Sequence, residues 1–486
     1  VQRVEIDGVP VLWLDGPAPL TATLIFGCGA RDEEFRTIGV THLIEHLAMS
    51  ALPRVHYEHN ASVDASQTEF YATGRPDQVV DFLATVCRAL SDLPLDRIDK
   101  EAGVLAAEGG SYTHPTAGEV YTRRHGITGP GLTSYTGPGY DRITADMVAA
   151  HARKFFVRGN AVLTLTGQPP EGLRLPLPEG EPPARVSWAP RLPDGPTWSN
   201  EIVPVPGMGL VGGRVDAAVS AGFAVLADRL TDIARRDKGL SYDVGGDQVD
   251  LGPELAERVI WIDAREGQEA EVTAIMWEAA KELASGGPTR DEVDHEVQGL
   301  RENLADPRFV EVDLEEGARA HLFGFPYRSP ELVLSRLEAV TPDAVAATMR
   351  EMLRTAHIVV PDECRVDLTD LDGKPVARAG TGGELPPGRQ LRPPALARLL
   401  HRDARAARLV LTDTGLAFRD PEGLVHTASF DEVVGVQVED GSRIVFARGG
   451  AVIPVSGELF AGAGPVIAAI DRAVPESLRF APSELR

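Results

Sequence analysis

Residues 39–50 read GVTHLIEHLAMS, and within them His42, Glu45 and His46 stand in the order H-x-x-E-H. On a helix, His42 and His46 fall one turn apart on the same face, where both imidazoles reach a single metal ion. Glu45 shares that face. A metal with an open coordination position brings the pKa of a bound water toward neutrality, and a carboxylate beside it can take the water's proton. This is the machinery of a hydrolase. The bland alternative is a helix with two ordinary histidines, so the surrounding chain has to decide.

Before the motif, Val4 and Ile6 alternate with charged residues up to an Asp-Gly turn, and Val9, Val11 and Trp13 share one face of a second strand. TATLIFGCGA is a third, apolar strand, and the charged loop RDEEFRTIG delivers the chain to the motif helix. After the motif, NASVDASQTEFYATG predicts a strand around Phe70 and Tyr71. Residues 77–93 form an amphipathic helix with Val79, Phe82, Leu83, Val86 and Leu90 on its apolar face. A further helix over residues 97–108 stops at Gly109-Gly110.

That last helix carries Glu101 and Glu108, seven residues apart and so on one face. Paired carboxylates on a helix are often only a solvated face. Here a site with two histidines still lacks a third protein ligand, which Glu108 can supply. Glu101 can then accept a hydrogen bond from the far nitrogen of a ligating histidine and fix its tautomer. Glu119 is a weaker candidate for the third ligand, since it lies beyond the glycine pair.

Residues 143–167 and 340–360 share a Thr-x-Asp start, an alanine-rich helix and an apolar strand, which makes an internal repeat. The proline-dense stretch between the halves, QPPEGLRLPLPEGEPPARVSWAPRLPDGP, reads as an extended linker rather than core. The second half has no H-x-x-E-H. Arg235 and Tyr242 bracket a Lys-Gly-Leu turn there, which alone would be a helix-end charge and a half-buried aromatic.

The sequence of 486 residues carries a formal charge of -24. Such a surface repels nucleic-acid phosphates. Cys28, Cys87 and Cys364 are widely spaced and odd in number, so no disulfide framework is expected, and the first two sit in apolar, core-like contexts. No run approaches the length of a membrane span, and a cytoplasmic protein is expected, with a trimmed leader left open.

In their shared order these stretches resemble the pitrilysin (insulinase) family of zinc metallopeptidases, the inverzincins named for this inverted motif. The resemblance implies an α+β fold of two repeated domains and one zinc ion per chain. His42, His46 and Glu108 would bind the zinc, Glu45 would activate water, and Glu101 would orient a ligating histidine. Asn60 and Ala61 match the stretch that pairs with an extended substrate backbone, and Arg235 and Tyr242 match the pair that contacts the scissile region. The implied domains are a catalytic one over 1–180, a proline-rich linker over 181–200 and a metal-free homologous one over 201–368. The segment from His46 to Asn60 is shorter than usual, and Val63 and Ser66 replace common Thr and Glu, which leaves substrate preference open. Members of this length pair into a chamber, so a homodimer is expected, with a heterodimer as alternative. The implied activity is cleavage of short or unfolded peptides, leader peptides of ribosomally made products among them. The alternative is a non-catalytic or partner-dependent peptide-binding subunit.

After a Gly/Pro linker over 369–397, short strand-like runs (ARLVLT, GLAF, LVHTASF, VVGVQV, RIVFA, AVIPV) precede a terminal helix, GPVIAAIDRAV. A small antiparallel β domain over 398–486, resembling a pleckstrin-homology-like fold, is expected. No basic cluster marks a phosphoinositide site on the sequence, so a protein or peptide contact is expected there rather than a membrane.

Overall fold

The computed structural model describes residues 1–109, 112–233, 243–380, 383–400 and 403–485. Its first half holds β1 (Gln2–Ile6), β2 (Val9–Trp13), β3 (Leu20–Phe26), α1 (Val40–Met49), β4 (Glu58–Val63), β5 (Thr68–Gly74), α2 (Pro76–Ser91), α3 (Ile98–Glu108), α4 (Pro115–His125), α5 (Ala145–Phe155) and β6 (Ala161–Leu165). The strands form one sheet in the order β1-β2-β6-β3-β5-β4. Only β2 and β6 run parallel. Leu24, Phe70 and Leu163 of the sheet pack against Leu43 and Leu47 of α1, Phe82 and Val86 of α2, Leu105 of α3 and Phe155 of α5. Burying each such side chain contributes about 1.5–3 kcal/mol, so the apolar faces fix these helices on the sheet.

The second half repeats the plan with β7 (Thr197–Glu201), β8 (Gly207–Gly213), α6 (Ala217–Leu230), β9 (Val244–Asp250), β10 (Leu255–Ile262), α7 (Glu269–Gly286), α8 (Arg290–Ala305), α9 (Phe309–Phe323), α10 (Pro330–Glu338), α11 (Pro342–Leu353), β11 (His357–Pro361) and β12 (Ala377–Arg378). Its sheet order, β12-β7-β11-β8-β10-β9, matches the first over the five strands β7-β11-β8-β10-β9, while the edge differs, since β12 comes from the end of this half and runs parallel to β7 where β1 runs antiparallel to β2. The repeated sequence blocks are α5 with β6 and α11 with β11. Both helices start on a threonine cap, Thr144 and Thr341, whose hydroxyls accept from the backbone N–H groups of Met147 and Ala344.

Each half lends the other a helix. Leu314, Ala318 and Leu322 of α9 cover Leu12, Ile25 and Val162 on the outer face of the first sheet. Ala117, Val120 and Tyr121 of α4 cover Val249, Val259 and Val359 on the second. At Gly209 the approach is so close that an added Cβ would stand 2.3 Å from Val120, so the helix can seat only on glycine there. Arg124 and His125 of α4 meet the fully buried Glu257 of β10 at 3.0 and 3.2 Å, a buried charge kept tolerable by two partners.

The proline-dense stretch departs from its reading as linker alone. Leu173, Leu175 and Leu177 are buried in the first core, because alternation points every second side chain inward even without a paired strand. Cys28 and Cys87 are buried in the same core, as expected.

The C-terminal unit has β13 (Arg389–Leu391), α12 (Ala395–Leu400), β14 (Arg408–Leu411), β15 (Gly415–Arg419), β16 (Val425–Ser429), β17 (Val433–Glu439), β18 (Ser442–Ala447), β19 (Val452–Ser456), α13 (Gly464–Ala473) and β20 (Arg479–Phe480). Thus β12, β13 and the first half of α12 lie within the stretch read as a Gly/Pro linker. Two sheets, β13-β14-β15-β16 and β19-β18-β17-β20, share a core with α13. The unit docks on the first half through Phe35, whose ring lies 4.7 Å from that of Phe446 and 6.0 Å from that of Phe480. Farther along, Ser483 donates to Asp141 at 2.6 Å and Arg142 donates to the carbonyl of Pro482 at 2.6 Å. The whole is an α+β molecule of two repeated halves and a smaller β unit. No described helix is long and apolar enough to cross a membrane.

Candidate metal centre

Helix α1 starts at Gly39, whose φ of 93° is a left-handed conformation that favours glycine. The first N–H groups of a helix lack internal partners. Here the buried carboxylate of Glu33 supplies them, accepting from Gly39 N at 2.8 Å and Thr41 N at 2.9 Å. Burial pushes the Glu33 carboxyl up to about 7, with the two backbone donors pulling the other way. Leu43, Ile44 and Leu47 then bury one face of α1 completely, which turns His42, Glu45 and His46 toward α3.

The ligand atoms of His42, His46 and Glu108 all lie within 4.8 Å of one another. Glu45 Oε2 stands 3.6 Å from His42 Nε2 and 3.8 Å from His46 Nε2, and Glu108 Oε2 stands 3.6 Å from His46 Nε2. Glu101 Oε2 faces the other nitrogen of the same ring, Nδ1, at 3.8 Å, an ion-pair distance longer than a hydrogen bond. Its second oxygen accepts from Arg97 at 2.7 Å. The single face of α3 read from the sequence therefore meets His46 from both sides.

Burial, then the neighbouring His46, lowers His42 to about 4, so its ring is neutral near pH 7 and offers a lone pair. Burial, then the Glu108 carboxylate, pushes Glu45 up to about 8. A cation held between these groups would draw that value down again. Two imidazoles and a carboxylate, with Glu108 half exposed toward solvent, are the nitrogen and oxygen donors of a three-ligand zinc site. The residues present fit that ion.

Tyr112 escaped the sequence reading. Its ring lies 6.0 Å from that of His42, and its buried hydroxyl has no hydrogen-bond partner among the described residues. Nothing in the sequence around a tyrosine just past Gly109-Gly110 singles it out. Glu33 was likewise read only as part of a charged loop. Glu119 lies on α4, and among the described residues the group able to hold a metal is His42, His46 and Glu108.

Asn60 and Ala61 lie on β4, the edge strand of the first sheet, opposite Tyr71 and Phe70 of β5. Among the described residues β4 has no strand on its other side, and it packs on α1. Arg235 and Tyr242 lie outside the described residues. Beyond Glu108, His114 stacks on Trp261 of β10 with centroids 4.3 Å apart, and Thr113 donates to Asp247 of β9.

No family model matches this sequence, and no curated protein does. Solved structures do. The inactive domain of an M16 peptidase from Pseudomonas fluorescens superposes with a TM-score of 0.60 at 18% identity, over 74% of this chain and 97% of that one. A protease from Helicobacter pylori gives 0.57 at 13% identity, over 74% and 98%. The first half of the periplasmic protease PqqL from Escherichia coli gives 0.53 at 14% identity, over 74% and 91%. At such identities the likeness is one of fold, and across about three quarters of its length this chain folds as M16 peptidase domains do.

Proposed function

We propose that the protein is a zinc-dependent endopeptidase for short or unfolded peptides, with leader peptides of ribosomally made products as one substrate class. The observation that carries this is the convergence of His42, His46 and Glu108 with Glu45 beside both imidazoles. A bound zinc ion would supply Lewis acidity, making water nucleophilic at neutral pH. His42, His46 and Glu108 hold it, and Glu101, anchored by Arg97, orients the ring of His46. Glu45 takes the proton of the attacking water and passes it to the departing amine. Its position between burial and a second carboxylate suits a group that must both hold and release a proton.

The open edge of β4, with Asn60 and Ala61, pairs with an extended substrate backbone by strand addition. Arg235 and Tyr242 would stabilise the charge that develops on the scissile carbonyl oxygen. We read the active form as a homodimer enclosing the substrate, with a heterodimer as alternative, and the setting as cytoplasmic. The C-terminal unit, two sheets and a helix, is read as pleckstrin-homology-like. A second reading, a peptide-binding subunit without activity of its own, is favoured by the inactive domain among the structural neighbours.

Purified chain and Glu45→Gln, compared on an unstructured peptide library with zinc content measured for both, separate these readings. The peptidase reading expects zinc in both and cleavage only by the parent, with a loss of at least about a hundredfold in the variant. Zinc in both and cleavage by neither would support the subunit. No zinc in the parent would overturn the site.

A further inference from the structure

Over residues 389–419 the chain carries seven arginines against two aspartates, in a protein whose formal charge is -24. The linear sequence spreads them over a linker and two strands, and the fold brings Arg392, Arg398, Arg405, Arg408 and Arg419 near one another. Arg408 and Arg419 stand directly opposite each other on β14 and β15, Arg405 reaches back to the carbonyl of Arg398, and burial, then the charges of Arg392, Arg398 and Arg419, draws Arg408 below its usual range. Among the described residues, Arg389, Arg392, Arg398, Arg405, Arg408 and Arg419 have no carboxylate partner at ion-pair distance, although Arg378 and Arg443 nearby do. Arg398, Arg405 and Arg419 instead donate to the backbone carbonyls of Pro393, Arg398 and Gly383.

The same stretch exposes apolar side chains. Leu396, Leu399 and Leu400 of α12 are 66%, 72% and 66% exposed, among the most exposed leucines of the chain. Isolated surface leucines need no explanation, but three on one short helix amid unpaired guanidinium groups do. Nucleic acid would satisfy the arginines and leave the leucines in water. An anionic bilayer satisfies both, since leucines enter the acyl boundary while arginines remain among the headgroups.

We propose that α12 and the surrounding arginines form a peripheral docking surface for an anionic lipid membrane, independent of the metal centre. The acidity of the rest of the molecule sharpens the mode of approach. An anionic surface repels the other faces, so the chain meets it with this patch first. Two signals, a charged and an apolar one, are what reversible anchoring requires.

The test is co-sedimentation of the full chain with vesicles of phosphatidylcholine alone and with about 30% phosphatidylglycerol, at low and high salt. Binding is expected only to the anionic vesicles and should weaken with salt. Arg398→Glu with Arg405→Glu should weaken it at least tenfold, at about a factor of five per lost cation. The triple replacement of Leu396, Leu399 and Leu400 by Ser should weaken it by a similar factor, with unchanged circular dichroism and zinc content. The proposal is overturned if the chain binds neither vesicle or if the leucine variant binds as well as the parent. It also fails if the arginine-dependent partner proves to be duplex DNA, or a second copy of the chain seen as a leucine-dependent dimer in vesicle-free solution.

Discussion

The residue that best illustrates how this site is held is Glu33, which touches no ligand. Its two oxygens are the acceptors of Gly39 and Thr41, and both N–H groups are buried. Replacing it with Ala orphans both donors, and each unsatisfied buried group costs about 1–3 kcal/mol. Glu33→Ala should therefore lose about 2–4 kcal/mol in urea unfolding and weaken zinc binding in a chelator competition, because α1 loses the anchor of its first turn. Unchanged stability would mean that the loop before α1 re-satisfies those groups by itself. His42, Glu45, His46, Glu101 and Glu108 were legible because helical spacing dictates which side chains share a face. Glu33 was not, since its acceptors serve donors six and eight residues away across a loop, and no periodicity reports such a bond.

At the scale of elements, α8 shows what sequence gives and what packing adds. Thr289 and Glu292 form an S/T-x-x-E capping box, readable from four residues. Unreadable is that Glu292 also accepts from Nε and Nη2 of Arg229 on α6, at 2.6 and 2.9 Å. These bonds, Arg229 first, hold the Glu292 carboxyl down at about 2. A carboxyl lowered in the folded state stabilises it above the unfolded value, and that contribution fades as pH falls toward the folded value. The unfolding free energy of the parent in urea titrations should thus exceed that of Arg229→Met by about 1–2 kcal/mol near pH 6, with the gap closing between about pH 4.5 and 2. A constant gap would show that Arg229 acts by packing alone. The C-terminal strands followed from alternation and turns. Their gathering of scattered arginines did not, because it depends on how β13, α12 and β15 fold back on one another.

For the whole molecule, alternation put Val9, Val11 and Trp13 on one face of β2, whereas the structure buries all five residues of VPVLW, on both faces. Alternation could not say that the outer cover, α9, comes from a helix some three hundred residues later. The repeat itself was visible, because Thr144 and Thr341 begin the same local construction in both halves. Because α4 and α9 are exchanged, neither half buries its sheet alone. Residues 1–183 and 184–486 produced as separate chains should each bind a hydrophobic dye and aggregate. Produced together, they should recover a soluble complex that holds zinc. Two well-folded, monodisperse fragments would contradict the mutual dependence.

The stack of His114 on Trp261 gives the metal centre an unequal suspension. His42 and His46 ride on a helix rooted in the first core, and Glu108 ends a helix rooted there too, but only six residues before the chain attaches to the second half. The third donor thus stands at the last turn of chain before the crossing from one half to the other.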